Sequence, residues 1–204
     1  MDNLLVFGGT FDPFHNGHYK MLEIALSKFK VTKVVLVPNY LPVNKKKPML
    51  SSKNRFSMLN KNKHEFPKRD DLDLTYDVSD YELNQEGSSY TINTLKYLQE
   101  KYNSNLITLL IGSDNFFSFH LWKDYADILK QVTLCVINRG YRSINEYEAY
   151  IENNLDSGFY KSIVICENEP IDISSTKIKE NFKDENFLKI NLPKFIYNEL
   201  ITND

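Results

Sequence analysis

The apolar run Leu4-Leu5-Val6-Phe7 passes directly into Gly8-Gly9-Thr10-Phe11-Asp12-Pro13-Phe14-His15-Asn16-Gly17-His18, and there the hydrophobic period changes. Four apolar residues in a row suit a strand buried on both faces of a parallel sheet. Beyond the turn, Met21, Leu22, Ala25, Leu26 and Phe29 recur at helical spacing. A helix beginning near Gly17 would bury that stripe against the sheet. Strand, glycine-rich turn and helix in this order place the chain in the α/β class.

The same turn carries chemistry. The first N–H groups of a helix lack intrahelical partners and sit at its positive end, so an anion in front of them is stabilised. His15 and His18 are three residues apart and can point together at a phosphoryl group, with Thr10 as a third donor. Gly17 leaves room for a base or ribose to approach the backbone. The pattern is neither G-x-G-x-x-G nor a P-loop ending in Gly-Lys-Ser/Thr, which argues against a dehydrogenase or an ordinary P-loop NTPase. A histidine pair also suits half a zinc site, but the other candidate ligands His64, His120, Cys135 and Cys166 are scattered. A plain turn whose imidazoles satisfy backbone groups is the other, lesser alternative.

A chain of 204 residues is long enough for one well-buried domain. The expected organisation is a single domain over 1–204, with 171–204 as a helical C-terminal subdomain. The formal net charge of -2 gives no broad field for nucleic acid or anionic lipid, so an anionic ligand must be drawn by a local cluster of donors. Cys135 and Cys166 lie inside apolar runs and read as small core residues rather than a disulfide framework. No basic region followed by a sufficient apolar stretch opens the chain, and no apolar run nears the roughly 20 residues of a membrane span. A soluble, cytoplasmic protein is the expectation.

Further along, Lys33–Val37 reads as a second, parallel strand, followed by a Pro- and Lys-rich loop from Asn39 to Leu50. Ser51 or Ser52 can cap a helix bearing Phe56 and Leu59, and Leu72–Leu83 alternates like a bent strand. Ser89 or Thr91 is a candidate cap for a helix with Ile92, Leu95, Leu98 and Tyr102 on one face. Leu106–Gly112 is the clearest later strand. It ends at Gly112-Ser113-Asp114, where a carboxylate can meet ribose hydroxyls or cap a helix. Trp122, in an aromatic stretch, reads either as core or as a stacking face for a flat heterocycle. Val132–Ile137 and Ser162–Cys166 read as strands, and Ser143–Leu155 as a polar helix. Ile173-Ser174-Ser175-Thr176, with Lys179 one turn on, forms a second phosphate-ready helix start.

Thr10 to His18 is similar to the T-x-x-x-H-x-G-H signature of the nucleotidyltransferases. The fuller Gly-Gly-Thr-Phe-Asp-Pro-x-His-x-Gly-His form resembles the bacterial nicotinate-nucleotide adenylyltransferases. So do Val37-Pro38-Asn39, Gly87-x-Ser89-Tyr90-Thr91, Ile111-Gly112-x-Asp114 with Trp122, and Ile173-Ser174-Ser175-Thr176-x-Ile178-Lys179, in that order. The resemblance implies a Rossmann-like open parallel sheet with helices on both faces. It implies adenylyl transfer from ATP to nicotinate mononucleotide, with Mg2+ on the ATP phosphates. His15, His18 and Lys179 would be catalytic; Gly8, Gly9, Thr10, Phe11, Gly17, Gly112, Asp114, Ser174, Ser175 and Thr176 would bind ATP. Asn39, Lys45, Thr91 and Trp122 would hold the nicotinate nucleotide. Two departures stand out: Lys179 replaces the family's usual arginine, and Pro42-Val43-Asn44-Lys45 replaces its usual Pro-Pro-His-Lys. A pantetheine-phosphate adenylyltransferase or a cytidylyltransferase would share the first turn without needing the Ser-Tyr-Thr and Trp segments. A nucleotide-sensing module would keep the fold and lose turnover.

Overall fold

Successive residues of the first strand face opposite ways: Leu5 and Phe7 enter one core, Leu4 and Val6 the other. Burial on both faces is what an apolar run without polar alternation requires. The computed structural model describes residues 2–40, 48–85, 89–155 and 162–202. Its strands are β1 (Asn3–Gly9), β2 (Lys33–Pro38), β3 (Thr75–Val78), β4 (Leu106–Gly112), β5 (Val132–Ile137) and β6 (Ser162–Cys166). They form one sheet in the order β3-β2-β1-β4-β5-β6, every neighbouring pair parallel.

The helices are α1 (Asn16–Lys28), α2 (Ser52–Lys61), α3 (Thr91–Tyr102), α4 (Ser113–Phe116), α5 (Tyr125–Gln131), α6 (Ile144–Asn154), α7 (Ser175–Glu180), α8 (Glu185–Asn191) and α9 (Lys194–Thr202). One face of the sheet packs on α1, α2 and α7–α9 through Met21, Leu22, Leu59, Ile178, Leu188 and Ile196. The other packs on α3, α5 and α6 through Leu95, Leu98, Ile128 and Tyr147. This is the Rossmann-like open sheet expected. Cys135 and Cys166 are free and buried, with their sulfurs 3.8 Å apart across β5 and β6. Among the described residues no helix is long and apolar enough to cross a membrane.

Three local expectations are corrected. Only Thr75–Val78 of the Leu72–Leu83 stretch is strand, because the ladder ends where the Ser79 N–H reaches Leu36 O, and Tyr81–Asn84 coils into a 3-10 turn. Neither Ser89 nor Thr91 caps α3: Tyr90 holds the N-cap position, and the Ser89 hydroxyl donates instead to Glu82 O. Gly112, not Asp114, precedes α4, so Asp114 lies in the first helical turn.

The sheet order reverses between β1 and β4. Their crossovers leave in opposite directions, which opens a crevice above the carboxyl ends of the two strands. Gly9 and Gly112 stand at its edges.

Candidate active site

The turn after β1 folds tightly because two glycines let other side chains cover it. A Cβ on Gly9 would sit 2.9 Å from the Phe11 ring, and one on Gly17 would sit 2.8 Å from Ile173 Cγ2 and 3.0 Å from the His15 ring. The space above Gly17 is therefore filled by protein rather than left for a base or ribose, which corrects that expectation. Phe11 adopts a positive φ of 49°, and its ring turns inward onto Phe7, Phe14 and His18. Its side chain is core, and only its backbone lies at the turn. Gly8 is exposed at the strand end, and Thr10 is half-buried.

The two imidazoles stack with centroids 3.7 Å apart. His18 is the third residue of α1, set in an aromatic box, and its Nδ1 accepts the His15 backbone N–H at 3.2 Å. One ring nitrogen does serve the backbone, as a plain turn would have it. An acceptor at Nδ1 leaves the proton on Nε2, so His18 presents a donor on its other side. His15 is only 1% exposed. Burial, with the Arg139 guanidinium adding repulsion, pushes its pKa down to about 3. A buried neutral imidazole must charge as the chain unfolds, so between the unfolded value near 6.5 and about 3 the unfolded state binds more protons and stability is lost as pH is lowered. The His15 contribution to that slope approaches about 1.4 kcal/mol per pH unit. His15→Asn is expected to flatten the fall of Tm between pH 6 and pH 4 relative to the parent; parallel curves would refute the assignment.

Asp12 is the hinge of the site. Its side chain is 0% exposed, its carboxylate accepts the N–H groups of Met49 and Leu50 at 2.7 and 2.8 Å, and Lys179 Nζ lies 2.6 Å from Oδ2. The first turn, the far end of the Pro/Lys loop and α7 therefore converge on one carboxylate. Arg55, 1% exposed on α2, donates to Thr10 O at 2.6 Å and Tyr40 O at 3.2 Å. Burial opposes its charge and Asp12 supports it.

The opposite rim is built on Arg139, just past β5. Its Nη2 donates to Ile173 O at 2.7 Å, its Nη1 lies 3.5 Å from Asp114 Oδ1, and its stem covers Gly112. Ser174 caps α7 by accepting the Lys177 N–H at 3.2 Å; Ser175 and Thr176 follow in the first turn, Thr176 exposed. Asn39 donates its N–H to Gly9 O at 3.0 Å, and among the described residues its buried Oδ1 has no partner. Thr91 opens α3. Trp122 is half-buried, one side packed on Phe119 at 4.9 Å, so it belongs to the edge of the core and still offers surface. Lys45 lies outside the described residues.

The starts of α1 and α7 thus meet in one crevice, joined by Asp12–Lys179 and by Ile173 against Gly17. Sequence reasoning named His15, His18 and Lys179 but missed Asp12, Arg55 and Arg139. An acid between Phe11 and Phe14, and an arginine sharing the buried helix face of Met58 and Leu59, were the available signals for the first two.

Comparison with known proteins gives the family. Residues 6–181 match the cytidylyltransferase-like family. A probable nicotinate-nucleotide adenylyltransferase of Aquifex aeolicus (strain VF5) is 37% identical over 179 residues, covering 85% of this chain and 99% of that protein. The chain belongs to the nicotinate-nucleotide adenylyltransferase family. A second probable member, from Clostridium tetani, is 30% identical over 200 residues, covering 97% of this chain and 96% of its own length. Among solved structures, the Plasmodium falciparum nicotinic acid mononucleotide adenylyltransferase complexed with NaAD superposes with a TM-score of 0.72 at 16% identity. That alignment covers 100% of this chain and 96% of the other, and at this identity it speaks for the family fold.

Proposed function

We propose that the chain transfers the adenylyl group of ATP to nicotinate mononucleotide, giving nicotinate adenine dinucleotide and pyrophosphate. The observation that carries this reading is the meeting of the His18 donor and the Lys179 ammonium in one crevice above the β1/β4 reversal, in a chain of this family. In this scheme Gly8, Gly9, Thr10, Ser174, Ser175 and Thr176 line the triphosphate, and Gly112 and Asp114 meet the adenosine ribose. Asn39, Lys45, Thr91 and Trp122 hold the mononucleotide. Its 5′-phosphate attacks the α-phosphorus in line, and the bond to the β-phosphate oxygen breaks. A phosphate monoester with a second pKa near 6 is already mostly dianionic at neutral pH, so no protein base is needed. His15, held neutral, supports the ring of His18, whose Nε2–H faces the growing charge; Lys179 adds a cation. Among the described residues no three His, Cys, Asp or Glu side chains form a metal-holding group. Mg2+ takes phosphate oxygens and keeps several waters, and in this scheme it would be carried on the ATP phosphates, where it would offset charge on the leaving pyrophosphate.

Incubation with Mg2+–ATP and, separately, nicotinate mononucleotide, nicotinamide mononucleotide or phosphopantetheine, while pyrophosphate is followed, tests the reading. Fastest release with the nicotinate acceptor is expected. ATP binding without release from any acceptor would overturn it in favour of a sensor. Trp122→Ala is expected to raise KM for the mononucleotide about tenfold, since base stacking contributes about 1–3 kcal/mol, with KM for ATP nearly unchanged. Equal effects on both would return Trp122 to the core alone.

A further inference from the structure

The contact between Lys123 and Tyr90 joins the two elements assigned to the pyridine end of the site. Lys123 Nζ lies over the Tyr90 ring, 4.5 Å from its centroid. Tyr90 is the N-cap of α3, its carbonyl accepting from Asn93 and Thr94, and Thr91 follows as the first helical residue. Lys123 directly follows Trp122, whose backbone is tied on both sides by bonds to Phe119 O and from the Tyr125 N–H. An ammonium carried by the residue after Trp122 therefore lies against the N-cap residue of α3. That helix start has no side-chain cap and no acidic residue in its first turn. Glu82, behind it, accepts a hydrogen bond from the Thr94 hydroxyl at 2.6 Å.

Backbone N–H groups at a helix start donate to any oxygen. A pyridine carboxylate and a pyridine carboxamide both offer one, so neutral donors alone discriminate between them weakly. A formal positive charge attracts only the ionised acid. We infer that Lys123 is a specificity-determining residue, its ammonium biasing the site toward an acidic pyridine nucleotide over the corresponding amide. The inference rests on the adenylyl-transfer reading and adds to it a residue absent from the motifs that carried the resemblance. Lys123 is exposed, so its effect is that of a partly screened ion pair and weakens with salt.

The test compares kcat/KM for nicotinate and nicotinamide mononucleotides at saturating ATP in the full chain and in Lys123→Met, Lys123→Arg and Lys123→Glu. The acid-to-amide ratio is expected to fall about fivefold in Lys123→Met, the upper end of an exposed ion pair. It should fall further in Lys123→Glu and be kept in Lys123→Arg, with KM for ATP unchanged in all three. The parent ratio should decline as ionic strength rises. An unchanged ratio in Lys123→Met and Lys123→Glu would overturn the inference and leave adenylyl transfer standing. Absence of turnover with either acceptor in the parent would instead overturn the functional reading itself.

Discussion

His18→Ala is expected to lower kcat by about 10²–10³-fold, the scale of losing one preorganised donor to a developing negative charge. KM for ATP should change far less, because the donor matters most when charge accumulates on the α-phosphoryl oxygens. The ring is also packed between Phe11, Phe14 and His15, so alanine removes packing as well as chemistry. His18→Gln separates the two: it fills much of the volume and keeps an N–H donor, and should recover part of kcat. Pre-steady-state measurement of pyrophosphate release, with Tm followed in parallel, reads both effects. A folded alanine variant with full activity would remove His18 from the mechanism.

Asp12→Ala should produce the largest loss of stability. It leaves the Met49 and Leu50 N–H groups and the Lys179 ammonium without their common acceptor. Breaking a buried pair from one side costs about 3–5 kcal/mol. Lys179 is 34% exposed, and water screens part of its charge, so a value near the lower end is expected. For a chain of this size about 3 kcal/mol corresponds to a fall in Tm of roughly 6–12 °C. Urea titration of Asp12→Ala and of Lys179→Arg checks it: the arginine variant keeps the pair and should stay within about 1 kcal/mol of the parent. An Asp12→Ala midpoint equal to that of the parent would mean that the carboxylate joins nothing.

Features encoded locally were legible. The runs Leu4–Phe7 and Leu106–Gly112 read as buried strands because each residue needs only an apolar neighbour on either side of the sheet. Helix starts at Ser51 or Ser52 and at Ser174, Ser175 or Thr176 were legible because a capping bond closes within three residues; the first residue of each set, Ser51 and Ser174, makes it. What escaped were contacts made across the sheet. Asp12 meets Lys179 from the far end of the chain, and Arg139 reaches Ile173 across the mouth of the crevice; neither spacing leaves a periodic trace. Gly17 was misread for the same reason, since its neighbour Ile173 lies far away in sequence. The strand expected over Leu72–Leu83 stops early because, past the Ser79–Leu36 bond, Pro38 of β2 has no N–H to donate and the Tyr81 N–H turns back to Ser79 Oγ.

Lys179 lies beyond the last strand, and α7–α9 bury Ile178, Leu188 and Ile196 in the same core as α1. During synthesis every strand of the sheet leaves the ribosome before this cation does. On the proposed reaction, the cation therefore enters the crevice only once helices that follow the last strand have packed on strands made before them.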